Sequence, residues 1–448
     1  MPAGLSPRKV AAMRRALAAL PVALVVGALS AGSPQTAADT KSAFPLLQDF
    51  AGAVNVPGSP LWNELGVGWG RQDFSWNEIE PSQNQWRFDK YDAMVLGVHK
   101  WGCQILPILC YTASWAVAEG APNTAGAARV RDWEDFVDTT VERYGKPPYN
   151  LRYFQVWNEP TRKAGFWRGA TDDEFFQRVY LPAAEIIKRH GCHVVFGGWP
   201  CSDGTARLIE LMDKFEAWRW TDIVDIHYYG LPSMVRLYDH YVKTGKCAGI
   251  WQTEIGWHPF EEYLPNLYCR TLYWGLRQGW EFRDQFKLFW YAFWGAGPVG
   301  PKCLTYPAQD GNRPSPTHGV RMNTLNAILG SSRLAAFDAY ELSPPLPFTV
   351  DEDIQSSQGF TCGDKTVIAF QVDEKTQAEH SHLDLRLTCA NRPSGAVRWS
   401  STGQKKELPL QTQGNEVVVR VPLSDMQAGT ARNWGREVRY VVGYVEIK

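Results

Sequence analysis

The feature that most constrains this fold is a repeated alternation of short apolar runs with segments of helical period, between about Phe50 and Leu329. We predict eight strands, at Ala51–Val56, Gly66–Asp73, Gln104–Cys110, Leu151–Trp157, His193–Gly198, Ile223–Tyr228, Gly249–Glu254 and Lys287–Trp294. Strands that alternate with helices pair in parallel, because each helix returns the chain to start the next strand in the same direction. Eight such units in roughly 280 residues is the usual size of an α/β fold of the (β/α)8 or TIM-barrel type.

Helix signals between the strands support this prediction. We predict helices at about Arg131–Tyr144, Thr171–His190, Leu264–Arg277 and Thr317–Leu329. In the second of these, Thr171 and Glu174 have the spacing of a capping box at the first turn, and Gly191 follows the last turn. Pro182 lies inside this helix, where it predicts a kink.

The sequence changes in character after Gly330. Three prolines, at 344, 345 and 347, indicate a linker, and the helical period is lost. Apolar residues then alternate with polar ones in the runs 368–372, 383–387, 417–421 and 438–445. Alternation of this kind is typical of half-buried antiparallel strands. We therefore predict a barrel over residues 44–332 and a small antiparallel β-sandwich over residues 333–448.

The first 40 residues have the three parts of a secretory signal. Basic residues between positions 8 and 15 precede the apolar run Ala16–Ala31, and small and polar residues follow it. The run is short and contains Pro21, which disfavours a membrane span, although an uncleaved anchor stays open. We predict a signal or disordered segment at residues 1–40, a secreted or periplasmic protein, and no stable membrane span after signal removal.

The chain has nine cysteines, and their odd number leaves at least one without a partner in the chain. Exported proteins tolerate disulfides, so one or two bridges are expected. We expect most of the cysteines to be small buried hydrophobic residues.

Composition argues against a nucleic-acid partner. The formal net charge is -1, and no basic run follows the N-terminal cluster, whereas phosphate binding needs a concentrated positive surface. Aromatic residues make up 13% of the chain. They could serve as flat platforms for sugar rings or fill a large core, and composition alone does not separate these uses.

Two predicted strands end in a glutamate beside tryptophan. Strand four runs into Trp157–Pro160, which contains Glu159, and strand seven runs into Thr253–Trp257, which contains Glu254. The carboxyl ends of the strands form the mouth of a TIM barrel, where active sites lie. Hydrolysis of a glycosidic bond needs one protonated and one ionised carboxyl close together. A lone glutamate would be a solvated loop charge, but here Asn158 also supplies an amide suited to hold a sugar hydroxyl.

These two segments resemble the clan A glycoside hydrolases, which are retaining (β/α)8 enzymes. The segments Gly66–Pro81 and Trp86–Asp92 are similar to family 39 of that clan, and the resemblance covers about residues 50–329. It implies a carbohydrate substrate, no cofactor and no metal, with Glu159 as acid/base and Glu254 as nucleophile. Two successive displacements would then cleave a β-glycosidic bond, which predicts a carboxyl-to-carboxyl separation of about 5–5.5 Å.

The resemblance assigns further positions to substrate binding, beside Asn158. Arg71 would end strand two next to the nucleophile and favour its ionised form. His227 and Tyr229 match the strand-six pair that lines the site, and the tyrosine is expected to hydrogen-bond the nucleophile. Trp290 matches the strand-eight tryptophan beneath the reacting sugar. Trp294 is the rival candidate, because residues four apart face the same side of a strand.

Other functions stay open at this point. A non-catalytic sugar-binding protein could use the same barrel, and a transglycosylase or an exo-acting β-xylosidase-like enzyme could use the same chemistry. Tryptophans that follow strands two, three, five and seven could line a long groove, or pack in the core: Trp76, Trp115, Trp199 and Trp257. On that basis we favour an endo-acting enzyme.

Overall fold

The computed structural model describes residues 45–55, 59–256, 260–295, 297–305, 313–346, 356–389, 392–426, 429–433 and 436–448. The predicted export signal at residues 1–40 lies outside this part of the chain, and so does Trp257. Among the described helices, none has both the length and the apolar character that a bilayer crossing requires.

Eight parallel strands close into a barrel. They are β1 (Ala51–Val54), β2 (Trp69–Ser75), β3 (Gln104–Cys110), β4 (Tyr153–Val156), β5 (His193–Val195), β7 (Ile223–His227), β8 (Gly249–Gly256) and β9 (Phe286–Tyr291). A two-residue strand, β6 (Trp199–Pro200), lies beside β7. Pairing of β1 with β9 and of β5 with β7 closes the ring. The predicted TIM barrel is confirmed, and each strand end lies within three residues of its predicted position.

Helices cover the outside of the barrel. They are α1 (Leu47–Phe50), α2 (Leu61–Glu64), α3 (Trp76–Ile79), α4 (Asp89–His99), α5 (Val130–Tyr144), α6 (Asp172–Phe175), α7 (Leu181–Arg189), α8 (Gly204–Lys214), α9 (Leu231–Leu237), α10 (Tyr263–Arg277) and α11 (His318–Leu329). Each of the longer helices buries one apolar face against the strands. In α5 the buried face contains Trp133, Phe136, Val137 and Val141, at the spacing of successive helical turns.

The predicted helix at 171–190 is distorted but not interrupted. Thr171 Oγ1 accepts the backbone N–H of Glu174, as the capping pattern predicts. A π-helical turn, Phe176–Tyr180, then connects α6 to α7, and Pro182 lies in the first turn of α7. Proline has no N–H and its ring displaces the preceding turn, which the wider π turn accommodates.

The C-terminal strands form two antiparallel sheets. The strands are β10 (Leu334–Ala336), β11 (Tyr340–Ser343), β12 (Ser357–Cys362), β13 (Lys365–Asp373), β14 (His382–Thr388), β15 (Ala396–Ser400), β16 (Lys405–Leu408), β17 (Leu410–Gln413), β18 (Glu416–Pro422), β19 (Gly429–Asn433) and β20 (Arg436–Ile447), with a short helix α12 (Glu374–Glu379). One sheet has the order β10-β12-β13-β20-β15-β16, with β19 beside β20, and the other has the order β11-β14-β18-β17. The predicted sandwich is therefore present. Its first two strands, β10 and β11, precede the proline-rich segment.

One hydrophobic core extends from the barrel into the sandwich, and the sandwich has a second core between its own sheets. Along β20, Tyr440, Val442 and Tyr444 face the barrel, whereas the alternate residues pack against the second sheet. The Glu262 carboxylate, just before α10, accepts from Arg321 of the barrel. It also accepts from Ser401 Oγ at 2.6 Å and from the Val442 backbone N–H at 2.8 Å in the sandwich. Residues 43–448 accordingly form one compact unit.

Side chains inside the barrel lie in layers. The rings of Trp69, Tyr153 and Trp251 contact one another with centroids 5.0–5.7 Å apart. One layer toward the amino ends of the strands, Lys287 is fully buried, with its Nζ 4.2 Å from the Trp69 ring centroid. One layer toward the carboxyl ends, Arg71 is 1% exposed. The aromatic layer therefore separates two buried cations.

All nine cysteines lie in the described residues, and none of them forms a disulfide there. The expectation of one or two bridges is wrong for this structure. The cysteines are spread over different strands, helices and loops, and disulfide geometry requires Cβ atoms about 3.5–4.5 Å apart. Seven of the nine are buried, which confirms their expected role as small hydrophobic residues.

Candidate functional site

The ends of strands β4 and β8 both bring a glutamate to the barrel mouth. After β4 the backbone is left-handed at Trp157 (φ 68°) and at Glu159 (φ 42°), conformations that are costly outside glycine. They break the alternation of the strand, so that Trp157 is buried under the surface while Asn158 and Glu159 both reach the site. The backbone N–H of Glu159 donates to Gly197 O at 2.8 Å, which fixes this turn.

A β-bulge positions the second glutamate. The register between β7 and β8 shifts after Ile226, so that His227 lies opposite Glu254 rather than opposite Thr253. The extra residue allows the Thr253 side chain to contact Asp225 while Glu254 reaches the mouth. Bulges of this kind re-aim side chains at functional sites.

Glu254 is held in an ion pair. Arg71 Nη1 donates to its Oε1 at 2.5 Å, and Tyr228 Oη donates to its Oε2 at 3.1 Å. The remaining guanidinium nitrogens of Arg71 donate to Gln155 Oε1 at 2.8 Å and to Asn158 Oδ1 at 2.7 Å. Both oxygens of the Glu254 carboxylate are therefore fixed by a donor, one from a buried guanidinium and one from a hydroxyl.

Glu159 lies in a different environment. Its Oε1 lies 3.0 Å from His227 Nδ1, and its side chain is 13% exposed. Burial raises the pKa of Glu159 to about 7. The Arg71 charge opposes this rise, and the Asp203 charge adds to it. One glutamate is therefore paired with a cation, and the other favours its protonated form.

The two carboxyl groups are close together. One oxygen of Glu159, one oxygen of Glu254 and a ring nitrogen of His227 all lie within 4.8 Å of one another. Three such atoms could in principle ligate a metal, but the Arg71 guanidinium already lies 2.5 Å from Glu254 and supplies the positive charge there. The arrangement fits a pair of carboxyl groups acting on one bond better than a cation site.

His227 is positioned by close packing. It is fully buried, and a side chain on Gly198 would place its Cβ 2.1 Å from His227 Nε2, so that position requires glycine. Its Nε2 lies 3.0 Å from Thr253 Oγ1. Burial lowers the pKa of His227 to about 3, so the imidazole is neutral. The structure thus places His227 in the site, as predicted.

The tyrosine that contacts Glu254 is Tyr228, which corrects the prediction for Tyr229. Tyr229 Oη donates instead to Pro200 O at 3.0 Å, and its side chain is buried. The backbone at Tyr228 is left-handed (φ 58°), which turns this residue inward immediately after β7. Strand alternation does not reveal such a turn, so the sequence pattern chose the wrong neighbour.

Neither predicted tryptophan of strand eight fills the site. Trp290 is fully buried among the helices, and its Nε1 donates to Lys302 O at 2.9 Å. Trp294 lies beyond the end of β9 and is 39% exposed. On β9 the odd-numbered positions Phe289 and Tyr291 face the barrel interior. Tyr291 is the last residue of β9 and therefore lies at the mouth, where burial and the nearby Glu254 charge raise its pKa.

Two further aromatic residues were not singled out from the sequence. Tyr111 follows β3, and its Oη accepts from Asn158 Nδ2 at 3.2 Å. Phe166 stacks on the Tyr111 ring at 6.1 Å and is 39% exposed, so it offers a flat apolar face near the site. Neither residue lies in a motif that the sequence analysis singled out. Two tryptophans proposed for a groove, Trp76 and Trp199, are instead buried.

A closed (β/α)8 barrel with one glutamate after strand four and another in strand seven is similar to the clan A glycoside hydrolases. Within that class, the sequence profile "Glycosyl hydrolases family 39" matches residues 122–233, which include Glu159. A curated β-xylosidase from Caldicellulosiruptor saccharolyticus is 38% identical over 80 residues, which is 18% of this chain and 16% of that relative. The recognition of a family 39-like protein is therefore confirmed.

Solved structures agree on the fold. A family 39 glycoside hydrolase from Bacteroides cellulosilyticus has a TM-score of 0.60 at 14% identity, covering 90% of this chain and 81% of that one. A family 30 endoxylanase from Clostridium papyrosolvens has a TM-score of 0.57 at 13% identity, covering 90% and 97%. At these identities the likeness establishes the barrel and the sandwich, and does not extend to the substrate.

Proposed function

We propose that this protein is a retaining glycosidase that hydrolyses β-glycosidic bonds by double displacement. The observation that carries the proposal is the pairing of Glu159 and Glu254 within 4.8 Å, one with a raised pKa and one in an ion pair. An inverting enzyme needs about 6.5–9.5 Å between its carboxyl groups to admit a water molecule, whereas a retaining enzyme needs about 5–5.5 Å. The short spacing supports the retaining mechanism.

In the first displacement, Glu254 attacks the anomeric carbon while Glu159 donates its proton to the departing glycosidic oxygen. The bond from the anomeric carbon to that oxygen breaks, and an ester to Glu254 forms. Arg71 and Tyr228 hold the attacking carboxylate through its two oxygens. Because burial keeps the Glu159 carboxyl protonated up to about pH 7, we expect activity to fall above that pH.

In the second displacement, Glu159 acts as a base. It removes a proton from a water molecule, whose oxygen attacks the anomeric carbon and releases Glu254 as a carboxylate. The proton returns to Glu159, so the enzyme is restored. Asn158 Oδ1 accepts from Arg71 and Nδ2 donates to Tyr111, which fixes the amide plane and leaves its second N–H to hold a sugar hydroxyl.

For the substrate we propose a β-linked xylose-containing glycan. The support is the similarity to a curated β-xylosidase, whereas the endoxylanase shares only the fold. The expectation of an endo-acting enzyme rested on four tryptophans, of which Trp76 and Trp199 are buried. Their burial weakens the argument for a long groove, so an exo-acting enzyme on short β-xylosides is the second candidate. Release of xylose alone from xylan indicates exo action, and early release of mixed oligosaccharides indicates endo action.

The test uses aryl β-xylosides and β-glucosides with the variants Glu159→Ala and Glu254→Ala. Proton NMR of the fresh product should show the β-anomer first. Azide should rescue Glu254→Ala with formation of an α-glycosyl azide, and Glu159→Ala with a β-glycosyl azide, because each replaces a different carboxyl group. Glu78→Gln is the matched control, since Glu78 is half-exposed in an ion pair with Lys90. Initial formation of the α-anomer would reject retention.

The same experiment separates the rival functions. A sugar-binding protein would bind xylo-oligosaccharides without turnover, and Glu254→Ala would behave as the parent protein. A transglycosylase would form longer products as the acceptor concentration rises. We also propose export directed by residues 1–40. Cell fractionation and N-terminal sequencing of the mature protein test this, and a protein retained in the cytoplasm with an intact N-terminus contradicts it.

A further inference from the structure

A chain of hydrogen bonds joins Glu159 to a second buried carboxyl group, on Asp225. His227 Nδ1 lies 3.0 Å from Glu159 Oε1, and His227 Nε2 lies 3.0 Å from Thr253 Oγ1. Thr253 Oγ1 lies 2.6 Å from Asp225 Oδ2, and the Thr253 backbone N–H donates to Asp225 Oδ1 at 3.0 Å. The three residues behind Glu159 are fully buried. Two intervening side chains therefore connect the carboxyl groups without contact with solvent.

The bonds in this chain must all run in the same direction. A neutral imidazole has one N–H and one bare nitrogen, and a hydroxyl has one proton for its two neighbours. When Asp225 is ionised, Thr253 donates to it, and His227 Nε2 donates to Thr253. His227 Nδ1 is then an acceptor, so Glu159 must be the donor and is protonated.

Protonation of Asp225 reverses every bond. Asp225 then donates to Thr253, Thr253 donates to His227 Nε2, and His227 Nδ1 donates to an ionised Glu159. The number of protons is the same in both forms. The net change is the transfer of one proton between the two carboxyl groups, while the imidazole changes tautomer and stays neutral.

The surrounding charges allow both forms. Burial raises the pKa of Asp225 to about 8, and Arg71 and the bonds from Thr253 oppose this rise while Glu254 adds to it. The pKa of Glu159, also raised by burial, is about 7, with Arg71 and Asp203 as its charged neighbours. Both pKa values are raised, so either end of the chain can hold the proton near neutral pH.

We propose that Asp225 and Thr253 are positioning residues that set the protonation state of Glu159 through His227. The inference rests on the proposed role of Glu159 as acid/base. Ionised Asp225 orients the chain so that Glu159 keeps its proton for the first displacement. After Glu159 has given that proton to the leaving oxygen, the bare Nδ1 faces a carboxylate, which makes Glu159 a stronger base toward water.

The test compares Thr253→Val with Thr253→Ser. Valine keeps the shape of threonine and removes the hydroxyl, whereas serine keeps the hydroxyl. In Thr253→Val, His227 Nε2 loses its acceptor. The imidazole can then adopt the tautomer with its proton on Nδ1, which donates to ionised Glu159 and lowers the pKa of that carboxyl group. The alkaline limb of the kcat/KM profile for phenyl β-xyloside should move down by about one pH unit in Thr253→Val and stay in place in Thr253→Ser.

A second readout uses the leaving group. Thr253→Val should lose roughly tenfold in kcat/KM on phenyl β-xyloside and much less on 2,4-dinitrophenyl β-xyloside, whose leaving group needs no proton. An equal loss on both substrates, an unmoved alkaline limb, or identical behaviour of the two variants would overturn the inference. Glu159→Ala separates the hypotheses. If kcat/KM of Glu159→Ala does not depend on the leaving group, the proposed role of Glu159 is wrong. If kcat/KM depends on the leaving group in Glu159→Ala but not in Thr253→Val, only the inference about Asp225 and Thr253 is wrong.

A measurement on the unaltered protein does not depend on the folding of a variant. Nitrogen-15 NMR of histidine-labelled protein at the pH of highest kcat/KM should show His227 protonated on Nε2, with its signal assigned by its loss in His227→Gln. Protonation on Nδ1 at that pH would overturn the inference, because Nδ1 would then donate to Glu159 instead of accepting from it.

Discussion

Two cations are buried in the same barrel, and their surroundings differ. Near the mouth, Arg71 uses its three guanidinium nitrogens on three acceptor side chains, one of which is Glu254. Near the opposite end, Lys287 donates to the Asp49 backbone carbonyl and to the Asp284 carboxylate, and its Nζ lies against the rings of two tryptophans. Burial lowers the pKa of Lys287 to about 8.

The difference shows how one barrel divides stability from chemistry. A planar guanidinium fixes several neighbours at once, whereas an ammonium is a compact point charge that tolerates varied contacts. Arg71 therefore fixes the side chains of Glu254, Asn158 and Gln155 relative to one another. Lys287 fills space at the opposite end of the barrel. Substitutions at the mouth are therefore expected to reduce activity more than stability. Substitutions at the opposite end of the barrel are expected to reduce stability more than activity.

The largest effect is expected from Arg71→Lys. An ammonium cannot serve three acceptors in fixed directions, so kcat/KM on 4-nitrophenyl β-xyloside should fall by roughly 10²–10³-fold, the usual cost of losing a donor that stabilises charge in an active site. Steady-state kinetics, with thermal melting as the control for folding, measure this. A loss of less than tenfold would show that Arg71 is only structural.

Lys287→Met is the matched change at the barrel floor. It leaves the Asp49 carbonyl and Asp284 without their donor and removes the contact with the Trp69 ring, so the free energy of unfolding should fall by about 1–3 kcal/mol. Because the aromatic layer separates it from the mouth, kcat/KM should stay within about threefold. Urea denaturation and kinetics on the same preparation test both points. Loss of activity at full stability would contradict the division.

Tyr228→Phe and Tyr229→Phe compare neighbours at the mouth. The first removes the donor to Glu254 Oε2 and should lower kcat/KM about tenfold, the equivalent of one hydrogen bond to a charged group. The second removes only the bond to the Pro200 carbonyl, and should lower stability by about 1 kcal/mol with little change in rate. Equal kinetic effects of the two changes would reject the assignment of Tyr228.

The last comparison concerns pH and stability. Burial raises the pKa of Glu159 from 4.5 to about 7, so the folded protein binds more protons than the unfolded chain between these values. Stability should therefore fall as pH rises from about 4.5 to about 7, and this part of the slope should be absent in Glu159→Gln. Denaturation curves of the two proteins across that range make the comparison. Parallel curves would show that Glu159 titrates normally.

Features that repeat along the chain were predictable from sequence, and single-residue irregularities were not. The barrel, the sandwich and the strand ends at Glu159 and Glu254 follow from periodicity and motif. Tyr228 and Tyr291 were missed because their placement depends on a left-handed residue and on which face of β9 turns inward. Trp290 was misassigned because a barrel strand is buried on both faces. Its sequence is apolar at every position and does not show which residues point inward.

The shared core of barrel and sandwich has a practical consequence. A chain ended near residue 332 would lose the strand face with Tyr440, Val442 and Tyr444, and would expose the apolar side of α10 and α11 to water. Glu262 would keep Arg321 but lose Ser401 and the Val442 amide, only eight residues after Glu254. The smaller lobe is therefore not a detachable accessory. It packs on the helix α10 that follows barrel strand β8, the strand that contains Glu254. The two lobes are therefore expected to unfold together.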